Sequence, residues 1–369
     1  MMTKVFLVAG CCCLALAARA QKKDAIITVP LRAENWTFRP GAVEFISGDH
    51  PAMKIISSGT VVLKDLDFTD GTIEFDDQPV QARFASFYFR WQDSLESECF
   101  YFRVPHSGDV DAVQYAPIIK GINFWNMLEY YQGNVVIQQQ APNHVKLVIS
   151  GRQMRVYVNN PALPVLEVPC LEGNNTHGTL AFDGQVTISN LVIRRGQVEG
   201  LAAAEGPDPT YNDSRYIRHW QVTEPDSIPR GIDFSYDLLP GKLTNWKPIA
   251  AERRGLIDLS RLYGGSRSRR IAWLKTTLHA EAARTCQLRL GFLNDAWVMV
   301  NGRFVYIDKN SYGQPMAKVP DGRLSIDNAT ITLPLQQGDN ELIVGVANDF
   351  YGWGIMARLD DLRGITLAK

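Results

Sequence analysis

The sequence predicts an all-β protein built as two β-sandwich domains in series. Three observations carry that expectation. Short runs rich in Val, Ile, Phe, Tyr and Thr recur along the chain, turn residues separate them, and no long segment shows the 3.6-residue period of a helix. A chain of 369 residues with 46% hydrophobic and 21% charged residues exceeds the ~100–200 residues of one ordinary domain and can bury full cores.

The first segment is not part of the fold. Residues 1–4 are a short basic start, 5–18 a small-residue apolar run, and Ala18-Arg19-Ala20 before Gln21 has the form of a signal-peptidase site, so 1–20 reads as a secretory signal peptide. The run is too short to span a bilayer, and no other stretch approaches the ~20 apolar residues required. The expected protein is therefore secreted, extracellular or periplasmic, and starts at Gln21. Val8-Ala9-Gly10-Cys11 resembles the lipobox of bacterial lipoproteins, which offers a competing outcome: a lipid on Cys11 and an outer-membrane anchor.

The first sandwich is expected over 21–197. Ala85, Phe87, Phe89 and Trp91 alternate with Ser86, Tyr88, Arg90 and Gln92, a strand with one face on a core. Phe100, Phe102 and Val104 repeat the pattern with Tyr101 and Arg103 opposite. Val145, Leu147 and Ile149 run into Ser150-Gly151 and return through Met154, Val156 and Val158 as a hairpin, and 188–194 reads as a closing strand. Composition then shifts to Gly, Ala, Pro, Asp and Asn without apolar period, placing a linker at 198–214. In the second sandwich, 215–369, Cys286, Leu288, Leu290 and Phe292 alternate, and residues 297–300 lead into Asn301-Gly302 and out through 304–307. Asn-Gly between strands is a strong hairpin signal because both turn residues take positive φ. Residues 342–346 form a further strand, and 355–359 is expected to be the last.

The formal charge of −1 argues against nucleic acid or an anionic membrane surface as partner, since neither could be held by a general electrostatic field. Past residue 20 only Cys99, Cys170 and Cys286 remain, an odd count that is no disulfide framework and reads as three buried, inert thiols.

Two resemblances bear on the halves. Gly59 to Val62, then Phe68-Thr69-Asp70-Gly71-Thr72-Ile73-Glu74-Phe75-Asp76, the aromatic Phe87 to Arg90, and the late Gly178 to Phe182 and Ile188 to Leu191 resemble strands of concanavalin A-like, laminin-G-type jelly rolls. Phe292-Leu293-Asn294-Asp295-Ala296-Trp297-Val298-Met299-Val300-Asn301-Gly302 and Leu335 to Asn340 resemble the galactose-binding-like β-sandwiches found beside glycoside hydrolase catalytic domains. Together they imply jelly-roll sandwiches in an exported protein of a polysaccharide-using bacterium. They also allow a structural calcium, with Asp65, Asp67, Asp70 and Asp183 as donors, although loop aspartates more often cap turns. No other cofactor is expected, because the six histidines are scattered without metal-ligand spacing.

Catalytic chemistry is incomplete. Jelly-roll glycosidases of the family 16 type carry E-x-D-x-x-E on one strand, but after Glu74-Phe75-Asp76 the second glutamate position is Pro79, and Asp77 points to the other face. Gly352-Trp353-Gly354-Ile355-Met356-Ala357 fits a dinucleotide fingerprint by letters, without the helix and βαβ unit that motif needs. The arginines at 253, 254, 261, 267, 269 and 270 are broken up by Gly, Ser and Leu and read as a solvated loop.

The positive signal is aromatic and amide content. Sugars pair an apolar ring face with a fringe of hydroxyls, which aromatic platforms and Arg, Gln, Asn or Asp side chains recognise. The first half offers Arg90, Gln92, Tyr101, Arg103, Gln114, Tyr115, Asn123 and Trp125. A local meander would bring Arg90 and Arg103 together, which points to an acidic ligand. The second half offers Asp349, Phe350, Tyr351 and Trp353, while Trp297 reads as core. The leading expectation is a non-catalytic protein that binds carbohydrate or a glycosylated surface. The alternatives are a glycoside hydrolase using carboxylates among Glu74, Asp76, Glu96, Glu98 and Asp111, and a structural or protein-interaction module.

Overall fold

The computed structural model describes residues 26–368 other than 58, 230 and 267. The signal peptide, the Cys11 lipobox and Arg267 lie outside the described residues. The protein is all-β, in paired antiparallel sheets; the described residues hold one α-helix, Leu259–Tyr263, and no helix long and apolar enough to cross a membrane.

Strands between residues 26 and 195 form two main sheets. One runs, in spatial order, Leu166–Val168, Gln153–Val158, Asn143–Ser150, Gly71–Pro79, Val186–Arg195, Ala52–Ile55 and Val43–Ile46, with Ile26–Thr28 added alongside Val186–Arg195. The other runs Gln132–Gly133, Val113–Tyr115, Glu98–Arg103, Phe84–Trp91, Thr179–Asp183, Val61–Leu63 and Trp36–Thr37. Their inward residues meet in a core where Phe75 contacts Phe87 at 4.9 Å and Phe182 at 5.2 Å between ring centroids. The 145–158 hairpin has the expected register, Val145 opposite Val158 and Ser150 opposite Gln153.

Strands between 219 and 367 form a second pair of sheets. The order is Lys247–Ala250, His219–Val222, Arg270–Ala280, Gly338–Asn348, Asn294–Val300, Arg303–Asn310 in the larger, and Leu256–Asp258, Gly354–Leu359, Arg284–Phe292, Ala329–Leu335 in the smaller. Asn301 and Gly302 take φ of 50° and 75° and close the expected hairpin, with Val300 opposite Arg303. The chain does not end its β structure at 359: Ile365–Leu367 pairs with Arg270–Ala280. Trp297 is buried, stacked on Phe234 at 5.3 Å under the segment that crosses the outer face of the larger sheet.

Residues 196–214 contain no strand and hydrogen-bond to both sides. Ala203 O accepts from Arg152 N–H, Gly206 N–H donates to Pro169 O, and Arg253 donates to Gly206 O and Pro207 O. The halves also pack directly on one another. Leu256, Leu293, Leu324 and Met356 join the hydrophobic cluster of the first sandwich, and Leu324 N–H donates to Asn126 O at 2.8 Å.

The arginines of 253–270 are not a solvated loop. Arg254 lies 3.8 Å over the Tyr130 ring, Arg261 donates to Asn174 Oδ1 and Glu172 O, and Arg270 covers Trp353 at 4.5 Å. Arg254 and Arg261 reach across to the first half, whereas Arg270 is covered within the second. Among the described residues Cys99, Cys170 and Cys286 are buried and free of disulfides. Burial lifts the Cys99 thiol well above its ordinary range and those of Cys170 and Cys286 to about 11, so they are inert.

Candidate functional site

The hairpin Phe84–Trp91 with Glu98–Arg103 turns Phe87, Phe89, Phe100 and Phe102 into the core and sends Ser86, Tyr101 and Arg103 to the opposite face. That face is covered. The 123–126 turn and loops from the second half close over it and leave a cleft of ≈ 430 Å³ lined by Arg83, Phe84, Ser86, Tyr101, Arg103, Pro105, His106, Asn123, Trp125, Tyr312, Phe350 and Tyr351.

Trp125 is its hub. Its backbone is fixed from two sides, N–H to Asn123 Oδ1 at 2.9 Å and C=O from Gln114 Nε2 at 2.7 Å. Its ring meets Tyr312, Phe350 and Tyr351 edge-on at 4.6, 6.3 and 5.7 Å. The loop carrying the last two is held by its ends: Gly352 N–H donates to Asn126 Oδ1 at 3.1 Å and Asn348 Nδ2 donates to Tyr351 O at 3.3 Å. A Cβ at Gly352 would lie 2.3 Å from Met127 Cγ, so only glycine lets the loop seat on the first half. Phe350 and Tyr351 remain about half exposed, at 46% and 47%.

The polar end of the cleft is a charge cluster. Arg103 donates to Asp111 and, at 3.3 Å, to the Tyr312 hydroxyl, and Arg323 donates to the same Asp111 at 3.0 Å. His106 Nδ1 lies 3.0 Å from Asp111 Oδ1 and Nε2 lies 3.4 Å from Arg103 Nη2, contacts satisfied by a neutral imidazole protonated on Nδ1. Burial and the adjacent Arg103 charge push the His106 pKa down, in keeping with that form. His106, Asp109 and Asp111 place three ligand atoms within 4.8 Å of one another, but Asp111 already serves two guanidiniums, which disfavours a cation there. Three of the four calcium donors expected from the resemblance have separate protein partners: Asp70 holds Arg90, Asp183 caps Gly59 N–H, and Asp67 pairs with His177.

The structure brings together Tyr101, Arg103, Asn123, Trp125, Phe350 and Tyr351 of the residues expected from sequence. The others lie elsewhere. Arg90 takes φ of 49° at a bulge that breaks the alternation, turns inward to 1% exposure, and donates to Thr69 O, Asp70 and Gly151 O. It is not beside Arg103, because the antiparallel register sets Arg103 opposite Phe84 at the other end of the hairpin. Gln92 donates to His177 O on an exposed loop. Gln114 and Tyr115 are wholly buried, the first bracing Trp125 and Tyr101, the second donating to Glu98 at 2.6 Å. Trp353 is wholly buried in the second core, its Nε1–H on Val346 O. Asp349 is exposed and outside the lining. Sequence reasoning missed Arg83, Phe84, Ser86, Pro105, His106 and Tyr312. Tyr312, an aromatic between Ser311 and Gly313, carried the same signal as Tyr351.

The carboxylates considered for hydrolysis are engaged one by one. Glu74 pairs with Arg194, Asp76 with His144 and Asn190, and Glu96 with Asn174. Asp77 does point to the buried side, where desolvation pushes it up to about 7. Burial likewise lifts Glu98 to about 7 against the Tyr115 hydrogen bond. A second hollow of ≈ 380 Å³, lined by Arg152, Cys170, Glu172, Gly173, Asn174, Glu205, Glu252, Arg253 and Arg261, lies where the halves and residues 196–214 meet. Its ions pair internally, Arg261 lying 3.0 Å from Glu252 and 3.5 Å from Asp258.

No protein-family profile and no curated protein sequence matches the chain. Among solved structures it is similar to a carbohydrate-binding module, CBM66, from Bacillus subtilis (13% identity, 43% of this chain and 95% of that one, TM-score 0.33). It is also similar to the β-glucanase of Bacillus licheniformis (11% identity, 48% and 100%, TM-score 0.36). A third is CG-16, a homodimeric agglutinin from chicken liver (18% identity, 36% and 98%, TM-score 0.28).

Proposed function

We propose that this is an exported, non-catalytic carbohydrate-binding protein whose site is the cleft around Trp125. One observation carries the reading: six aromatic residues and a fringe of Arg, Asn, Ser and His side chains line the cleft, and no carboxylate does. Aromatic faces suit the apolar side of a pyranose or furanose ring, and the fringe suits its hydroxyls. Glycoside hydrolysis needs two carboxyl groups flanking the scissile bond, and the cleft supplies none. The resemblance of the halves to laminin-G-type and galactose-binding-like sandwiches supports the same reading.

Affinity electrophoresis over a panel of neutral and acidic polysaccharides tests it, with reducing ends assayed in the same incubations. Retention by at least one polysaccharide, lost in the Phe350→Ala/Tyr351→Ala double variant and unaccompanied by reducing-end release, is the expected result. Release of reducing ends, or retention indifferent to the double variant, would overturn it.

A further inference from the structure

We infer that the saccharide taken by the cleft is anionic, carrying a carboxylate or sulfate ester that Arg83 and Arg103 engage. This rests on the reading of the cleft as a carbohydrate site and specifies the ligand's charge.

Charge is segregated around the cleft. Arg103 and Arg323 share a single carboxylate, Asp111. Both side chains are 5% exposed, so Arg103, which lines the cleft, has only a shared claim on Asp111 in a site largely withdrawn from water, while Arg323 also faces Glu129 and approaches the Trp125 ring at 5.6 Å. Burying a charge without a partner is expensive, and a ligand anion offsets that cost. The other nearby acids do not reach the cleft. Asp109, Asp111 and Asp321 line a separate hollow of ≈ 500 Å³ on the far side of Asp111, together with Arg323. One side of the Asp111 wall is thus acidic, whereas the cleft side carries Arg83, Arg103 and His106, and the acids they touch, Asp111 and Asp109, are not part of the cleft lining.

Arg83 supplies the uncommitted fork. Among the described residues its side chain has no hydrogen bond or ion pair, while its backbone C=O accepts from Val104 N–H at 3.2 Å and fixes it beside Pro105 and His106. A guanidinium presents parallel donors matched to carboxylate or sulfate oxygens, and such charge-assisted bonds are about twice as strong as neutral ones. Phe84, next along the strand and 46% exposed, provides an apolar face one residue away.

The test is isothermal titration of the full chain with matched pairs: galacturonan oligomers against their methyl esters for the carboxylate source, and sulfated against desulfated carrageenan oligomers for the sulfate source. Laminarin and levan serve as neutral controls, and poly-glutamate as a peptide control. The expected result is binding of the acidic member of at least one pair, weakened on the order of tenfold by Arg83→Ala and by raising salt to ~0.5 M, with Arg83→Lys in between. Equal binding of acidic and neutral members, untouched by Arg83→Ala, would overturn the anionic specificity and leave the carbohydrate reading standing. Poly-glutamate bound as tightly as the saccharides would replace it with an acidic protein partner. Silence across the whole panel, with Phe350→Ala/Tyr351→Ala equally silent, would overturn both.

Discussion

The two halves meet along a seam that has been finished in opposite ways at its two hollows. At the Arg261 hollow the charges are mostly engaged with one another: Arg261 reaches Glu252, Asp258, Asn174 and Glu172 O at once. At the Trp125 cleft the polar groups form a floor, and the rings of Phe84, Phe350 and Tyr351 touch other aromatics on one side and stay about half in water on the other. The first arrangement glues the halves; the second leaves surface unsatisfied. Buried ion networks are strongly felt when one member is removed, whereas exposed rings contribute little to folding and much to an interface. The difference separates a structural hollow from the proposed binding one more sharply than size does, since the two volumes are similar, ≈ 380 and ≈ 430 Å³.

The widest effect expected from the glued side is on the pH dependence of folding. Glu98 lies against Gly173 beside the hollow and has its pKa pushed up to about 7 by burial. Asp77, in the first sandwich, is pushed up to about 7 by the same cause. Unfolded carboxyls titrate near pH ~4, so through the window between, the native state keeps protons the unfolded chain has lost. The contribution of these two groups is therefore full below about pH 4, falls as pH rises toward 7 by roughly 1.4 kcal/mol per pH unit for each group, and is flat beyond. Denaturant unfolding at several pH values checks this. Glu98→Gln and Asp77→Asn should each remove one share of the slope, and an unchanged slope in both would refute the assignment. Arg261→Ala comes next. It strands Glu252 and Asp258 and should cost about 3 kcal/mol of stability, with saccharide affinity unaltered wherever the protein stays folded. A loss below about 1 kcal/mol would show that the network is not the glue. Phe350→Ala reverses the pattern: stability within about 0.5 kcal/mol of the parent, affinity down by about 1–2 kcal/mol.

Legibility followed the same division. Alternation at 85–89 and 100–104, the 145–158 hairpin and the Asn301-Gly302 turn were readable because each depends on neighbours in sequence. Arg90 failed because a bulge inserts one residue and reverses the pleat, so a side chain assigned to the outer face became a buried clamp on Asp70 and Gly151. Trp353 failed because a Gly-rich turn with an aromatic reads alike whether the ring is displayed or, as here, packed under Arg270 and Tyr263. Half of the cleft was readable from its aromatics and arginine. The rest was invisible because Tyr312 meets Trp125 only through the docking of one half on the other, a contact between residues nearly two hundred positions apart. The same blindness made the arginines of 253–270 look solvated.

Tyr351 gives the finest test of the contrast, because its backbone is held where its side chain does not want it. Its φ is 52°, the left-handed region that costs a non-glycine residue roughly 1–2 kcal/mol. The Asn348 bond to its C=O and the seating of Gly352 on Asn126 enforce that conformation. Strain tolerated at a half-exposed aromatic is what a displayed ring predicts and what a purely structural ring would not need. Tyr351→Gly removes the strain and adds unfolded-state entropy of about 0.5–1 kcal/mol, so the net change in stability should lie between zero and a gain of about 1.5 kcal/mol. Saccharide affinity should fall at the same time, because the ring that meets Trp125 at 5.7 Å is gone. A variant that lost stability and kept its affinity would place Tyr351 with the glue rather than with the site, and would move the boundary of the cleft back to Trp125.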